Sequence, residues 1–328
     1  MSLYRFISNN ILFKFDPELI HNLMQIILSS KIGPFLARIF ATNFNHKSKT
    51  SIMGIKIDSY ISLAAGFDKN CSMLGALDKL GFGYIVGGTI TLHPRPGNLK
   101  PRIKRYVSDK SMINALGFPN DGLKKITDNL KKYNLKTPLV LSISGDSNEE
   151  IIYLYETLSE YCSGFEINIS SPNTEKLKFF HNIDNLSELL AGINKIKNKP
   201  YMLKIPRFEN LNDSNQNEQF TQFMNTAIKH NADGVVLCNT LPISDKELKM
   251  GKGGLSGKLL YPNTENTLKI VNELFNNKID IVASGGVSNS NEVTSLTKLG
   301  AKSVQIWTSL IYEGPGLVKK LNKELACG

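Results

Sequence analysis

Residues that build metal sites are scarce in this sequence. Its 328 residues include four cysteines and five histidines. Cys71, Cys162, Cys238 and Cys327 lie far apart, with no Cys-x-x-Cys pair and no Cys/His ligand spacing. Reduced thiols are expected, with no metal, neither zinc nor an iron–sulfur cluster, held by this chain. His46, His93, His181 and His230 form no ligand pattern either. No apolar run reaches the roughly 20 residues that span a bilayer, and the start lacks a signal-peptide layout. A G-x-G-x-x-G after the first strand and a P-loop are both absent, which argues against a doubly wound nucleotide-binding sheet. Lysine and arginine outnumber aspartate and glutamate 39 to 29, a net charge of +10. That balance favours anionic ligands. The excess is scattered lysine on helical segments, without a dense block of basic and aromatic residues, so a solvated surface is expected and no nucleic acid.

What is present reads as a large α/β domain. Hydrophobic residues make up 41% of the chain and charged ones 21%, enough for an extensive core. Eight short apolar runs are expected as buried strands, at 61–65, 84–89, 139–143, 165–169, 202–205, 234–237, 280–283 and 303–306. Helix-length segments separate most of them, which predicts a (β/α)8 TIM barrel. Residues 1–45 form a different region, an N-terminal helical hairpin preceding a barrel domain at 46–328. Asp16-Pro17 is a helix start signal, followed by an apolar face at Leu19, Ile20, Leu23, Met24, Ile26 and Ile27. Gly33-Pro34 breaks the pattern before a second run at Phe35, Leu36, Ile39 and Phe40. This hairpin is expected to dock on a membrane interface or a partner. Residues 204–217 and 252–257 read as loops.

In such a barrel the C-terminal strand ends converge on one face. Here they carry Ala64-Ala65-Gly66 with Lys69, Gly88-Thr89, Asn168 to Thr174, Lys204, Cys238-Asn239-Thr240, Ser284-Gly285-Gly286 and Trp307-Thr308. A polar cluster as dense as Asn168-Ile169-Ser170-Ser171-Pro172-Asn173-Thr174 is costly at the end of a buried strand unless a ligand occupies it. Pro172 also pushes Ser171 toward an extended conformation. Lys204, a lysine inside an apolar strand, must face an anion or an electron-rich group. Glycines after the seventh strand and a hydroxyl after the eighth match the usual phosphate position of these barrels. The asparagines suit a flat heterocycle with a urea-like edge.

In combination these motifs, with Pro96-Gly97-Asn98, Pro101-Arg102, Ile113-Asn114, Gly117-Phe118 and Gly253 to Gly257, resemble the dihydroorotate dehydrogenases, FMN enzymes of pyrimidine synthesis. The resemblance covers nearly the whole chain. It implies FMN over Ala65 and Gly66, with Lys69, Thr89, Asn168, Lys204 and Cys238 around the ring and ribityl chain. Gly257, Gly285, Gly286, Trp307 and Thr308 would hold the phosphate. Dihydroorotate, the precursor of orotate, would contact Lys69, Asn114, Asn168, Asn173, Asn239 and Thr240. Residues Asn114, Ala115, Leu116, Gly117 and Phe118 would close its pocket. Ser171 would be the base. A serine base resembles the quinone-linked members, and so do the stretch Phe15 to His21 and Arg105, which implies a quinone tunnel near His21 and Arg105 and peripheral membrane contact on the cytoplasmic side. Three features depart from that class: Leu141 to Asp146 is similar to cytosolic members, Trp307 stands where tyrosine is common, and Glu175-Lys176 replaces a usual Pro-Gly. They keep a second acceptor in view, a separate electron-transfer protein subunit. An FMN-dependent tRNA-modifying barrel would need a basic groove that the dispersed lysines do not provide. A non-enzymatic FMN or phosphate scaffold leaves Lys69, Asn114, Ser171 and Lys204 without a purpose.

Overall fold

The computed structural model describes residues 3–41, 50–170, 175–208, 210–211, 213–237, 239–275 and 277–327. Eight parallel strands close a barrel: β1 (Ile61–Asp68), β2 (Ile85–Ile90), β3 (Leu139–Ile143), β4 (Gly164–Asn168), β5 (Tyr201–Lys204), β6 (Gly234–Leu237), β7 (Asp280–Ser284) and β8 (Ser303–Ile306). Each pairs with its neighbours in chain order, and β8 returns to β1 through Gln305 opposite Ser62. Strands buried on both faces read as continuous apolar runs, which is why periodicity found them. The register shifts near the ends of β1 and β2, between Leu63 and Asp68 and between Gly87 and Ile90. Such irregularities turn backbone and side chains toward a site.

The barrel interior is divided. Tyr84, Val86, Val140, Met202, Val236 and Val282 fill its lower part. An antiparallel hairpin, Thr50–Ile52 with Ile55–Ile57, plugs that end with Ile52, Met53 and Ile57. Higher up the interior turns polar, with Ser142, Glu166, Lys204 and Gln305 buried, while Ser62 and Ser303 bond each other (3.0 Å) nearer the lower end. The larger apolar cluster lies outside the strands, beneath the helices.

Two hairpin excursions make a cap over the strand ends. It is a four-stranded antiparallel sheet in the order Leu241–Ser244, Lys252–Gly257, Ser111–Asn114, Ile103–Tyr106. This corrects the expectation of a loop at 252–257. Gly253 belongs in that strand because a Cβ there would press on the Asn114 carbonyl. The loop expected at 204–217 is also shorter than read, because Asp213 caps a helix at Ser214–Lys229 through Gln216 N (3.0 Å).

Three helices precede the barrel: α1 (Leu3–Asn10), α2 (Pro17–Ser29) and α3 (Gly33–Arg38). The sequence pattern marked only the last two; α1 was expected only as an apolar patch. The Asp16 carboxylate caps α2, accepting from Glu18 N (2.9 Å) and Leu19 N (2.8 Å). No residue of α2 is buried, and Leu19 and Ile26 are 58% and 68% exposed. The expected boundary at residue 45 lies outside the described residues.

What fixes α2 is polar. Arg102 is 7% exposed and clamps Glu18 with both oxygens, Nη2 to Oε1 at 2.6 Å and Nε to Oε2 at 3.2 Å. Burial acts to raise the Glu18 carboxyl, but Arg102 and Lys100 outweigh it and hold it below its ordinary value. The clamp is therefore present above the ordinary carboxylate range and is lost as acid titrates through the lowered value. Arg105 reaches the Leu12 and Phe15 carbonyls at 3.3 and 2.8 Å. Replacing Glu18→Ala removes charged hydrogen bonds worth about 1.5 kcal/mol or more. Limited proteolysis within residues 17–40 should then be about tenfold faster at neutral pH, and unchanged cleavage would show that the clamp does not hold α2.

Candidate active site

The open end of the barrel leads into a cavity of about 180 Å³ beneath the cap. Its floor comes from the strand ends. Ala64, Ala65 and Gly66 present little side chain there, and a Cβ on Gly66 would meet only the Trp307 indole nitrogen, at 3.8 Å. The next turn is held by buried Asp68, which accepts from Ser72 N (2.9 Å) and Met73 N (2.7 Å). Burial raises the Asp68 carboxyl to about 6 against the pull of those amides. That turn delivers Lys69 to the cavity wall.

Lys69 is half-buried, yet desolvation brings its ammonium down to about 8; Asp68 and Glu18 oppose the shift and Arg102 adds to it. Across the floor, Asn168 Nδ2 donates to Thr89 Oγ1 (3.1 Å), and Thr89 lies 3.0 Å from the Ser142 hydroxyl. Asn168 Oδ1 accepts from Ser170 N (3.3 Å), and Asn239 Nδ2 donates to Ser170 Oγ (3.0 Å). Lys204 reaches the floor from β5, paired at 3.3 Å with Glu166. From the cap, Met112, Asn114 and Leu116 face the cavity on alternate residues, with Gly117 and Phe118 beyond.

At the far end Gly257, Gly285 and Gly286 have φ of 101°, 124° and 85°. A Cβ on Gly286 would strike the Tyr261 backbone, and one on Gly257 would lie 2.5 Å from the Lys110 carbonyl. Only glycine can draw the chain this close, leaving a shallow cradle beside Thr308, whose hydroxyl donates to Ser256 Oγ (2.8 Å). Gln305 Oε1, buried on the same wall, has no partner among the described residues. A cradle for a phosphate and an unmatched acceptor beside a floor of small residues fit a flavin nucleotide.

Of the residues expected here, Ala65, Gly66, Lys69, Thr89, Asn114, Leu116, Gly117, Phe118, Asn168, Lys204, Asn239, Thr240, Gly257, Gly285, Gly286, Trp307 and Thr308 all line this one cavity. Ala115 does not. Strand alternation turns it away to pack with Ile113 and Leu248. Ser171, Asn173 and Cys238 lie outside the described residues. Sequence reasoning missed Arg207, which holds the Asn239 carbonyl at 2.6 Å and the Ser284 carbonyl at 3.4 Å. It also missed Ser142 and Glu166, whose signal was a carboxylate inside an apolar run.

A second cavity, about 840 Å³ and mostly apolar, separates α2 and α3 from the barrel. His21 and Arg105 line it, and Lys69 and Trp307 stand in the wall it shares with the first. The rings of His21, Phe67 and Trp307 meet edge to face, at 6.1 and 5.8 Å. Burial, reinforced by the Lys69 charge, depresses His21 to about 3 against the opposing pull of Glu18, so its imidazole is neutral at physiological pH.

A family model described as dihydroorotate dehydrogenase matches residues 47–327. The chain belongs to the dihydroorotate dehydrogenase family. Its relatives include proteins named dihydroorotate dehydrogenase (quinone). The one from Christiangramia forsetii is 33% identical, with 98% of both chains covered. The one from Sulfurimonas denitrificans is 34% identical over 96% of this chain and 91% of its own. Among solved structures, DHODH from Eimeria tenella in complex with ferulenol shares the fold with a TM-score of 0.83 at 24% identity, covering 99% of this chain and 94% of its own. The family is a flavin-dependent one.

The wall residue Lys69 sets a pH response for any anionic ligand in this family site. Its charge is present below about 8 and lost above. The affinity of a small carboxylate such as orotate should therefore fall about fivefold between pH 8 and pH 9. Isothermal titration across that range checks it, with Lys69→Met flattening the profile; a flat profile in the unaltered protein would remove Lys69 from the anion contact.

Proposed function

We propose that this protein oxidises dihydroorotate to orotate in pyrimidine synthesis, with FMN as its bound cofactor and a quinone as electron acceptor. The observation that carries this is one cavity joining a cation, three asparagines and a glycine cradle, with a large apolar cavity behind a shared wall. The family and the quinone-linked names of its relatives agree with it. Bound FMN would supply the two-electron acceptor for the hydride leaving C6 of the substrate.

The chain's own groups do the rest. Gly257, Gly285, Gly286 and Thr308 would hold the FMN phosphate, and Ala65, Gly66, Thr89, Asn168, Lys204 and Cys238 would surround the ring. Lys69 faces the substrate carboxylate. Asn114, Asn168, Asn173, Asn239 and Thr240 would supply donors and acceptors to the ring edge, with Leu116, Gly117 and Phe118 excluding water. Ser171 takes the C5 proton. A hydroxyl is a weak base in water, so this role needs a desolvated site and an oriented proton path. The Ser170 hydroxyl, one residue before Ser171 in the chain, is held between Asn168 and Asn239. The second cavity would admit the quinone past His21 and Arg105, and the exposed apolar residues of the N-terminal helices would rest on a membrane surface. Among the described residues no helix is long and apolar enough to cross one.

The deciding test is anaerobic absorbance of the purified protein at the flavin band. Dihydroorotate should bleach it, and a flavin band that does not respond would overturn the substrate. Ser171→Ala should keep the flavin but slow bleaching by at least about 100-fold; near-normal bleaching would take the base role from Ser171. Deleting residues 1–40 should spare bleaching and abolish turnover with a soluble quinone analogue. Surviving turnover would detach the second cavity from the acceptor.

A further inference from the structure

Glu166 has no part in the chemistry above and does not line the cavity, yet it bonds two residues that do, Lys204 and Gln305. It lies inside the barrel with no solvent exposure. Its Oε1 accepts from Ser142 Oγ (3.2 Å) and from Lys204 Nζ (3.3 Å), and its Oε2 accepts from Gln305 Nε2 (3.0 Å). Through Ser142 the same network continues to Thr89 and Asn168. Beneath it the lumen is mostly apolar, apart from the Tyr84 hydroxyl and the Ser62–Ser303 pair.

A buried ion pair is a poor device for stability, since desolving both charges costs about what their attraction returns. Well-packed apolar residues would fill a lumen as well. What the pair does supply is position. Lys204 is 6% exposed on a long flexible stem, and Glu166 is its anionic partner among the described residues. The Gln305 amide points its nitrogen at Glu166 and leaves its oxygen unmatched. An amide free to turn would not leave that acceptor orphaned, so the carboxylate sets its direction.

We infer that Glu166 is a positioning residue whose carboxylate holds the Lys204 ammonium at the cavity floor, so that a bound flavin meets a fixed cation favouring its more negative, reduced form. This rests on the FMN reading. A merely structural Glu166 would change folding stability and leave the flavin's reduction potential alone.

The test measures that potential by equilibrating the purified holoprotein with a reference dye, without dihydroorotate. Glu166→Gln keeps the shape and an acceptor for Lys204, and Gln305 can turn its free oxygen toward the new amide. E166Q and Lys204→Met should each lower the potential by about 30 mV or more, a tenfold loss of preference for the reduced flavin. The double variant should fall no further than Lys204→Met alone, because Glu166 acts through Lys204. An unchanged potential in E166Q overturns the inference. So does a rise, which would mean the cation stays in place and merely loses its counter-charge, and so do additive effects. If E166Q does not fold, Glu166→Asp withdraws the carboxylate while keeping its charge. The potential should again fall, and an unchanged value overturns the inference. A wild-type protein purified without any flavin would instead sink the FMN reading on which it stands.

Discussion

The site depends on how a closed barrel fills its own lumen. Eight strands leave an interior just wide enough for side chains, and every one of those side chains loses water. Here the lower part is filled mainly with hydrocarbon and plugged by the hairpin at 50–57, where Ser62 and Ser303 satisfy one another at 3.0 Å, and most polar groups gather in the upper part. Once there, they must satisfy one another. Ser142, Glu166, Lys204 and Gln305 do so almost completely, and the few loose ends point at the cavity. The active face of the barrel is thus the polar remainder of a packing problem solved from below.

Most of the scaffold could be read in the chain. Parallel strands covered on both faces are apolar throughout, so Leu139–Ile143 or Gly234–Leu237 announce themselves without any partner in view. The strand-end residues could be read for the opposite reason, since asparagine, lysine and glycine have no business ending apolar runs unless something meets them. Other parts were opaque. Lys252–Gly257 has the composition of a loop, and its glycines make sense only beside a paired strand, Gly253 against the Asn114 carbonyl and Gly257 against that of Lys110. Ala115 was grouped with its neighbours, but the period of two sends it to the far side of the cap. Glu166 sat within a run taken as apolar, and nothing short of the closed barrel reveals that three partners converge on it. The helix at Leu3–Asn10 spans only eight residues, too short for periodicity to separate from a patch.

The wall between the two cavities has an electrostatic character of its own. Lys69 and His21 both lean toward their neutral forms there, each depressed by burial and His21 further by its neighbour's charge. The rings of His21, Phe67 and Trp307 meet edge to face in the same wall. At neutral pH the seam thus sets a neutral imidazole beside the still-charged Lys69. Such a partition isolates two reaction compartments without placing a long distance between them. Arg102 stands at its margin, tied on one side to Glu18 of α2 and on the other to the Pro96 and Asn98 carbonyls (both 2.8 Å), so the helical region and the cap share an anchor.

The cap sheet also bears on how the molecule comes into being. Its two central strands pair Gly254 with Asn114, residues 140 positions apart in the chain. Joining segments so distant carries a large loop-closure entropy, and contacts of that kind form late in folding. By then β3 to β6, which lie between them in sequence, have brought the two hairpins within reach. The last cap strand ends at Gly257, ahead of β7 and β8 in the chain. The lid is thus synthesised before the barrel it covers can close, and the two are completed from the same late-emerging third of the chain.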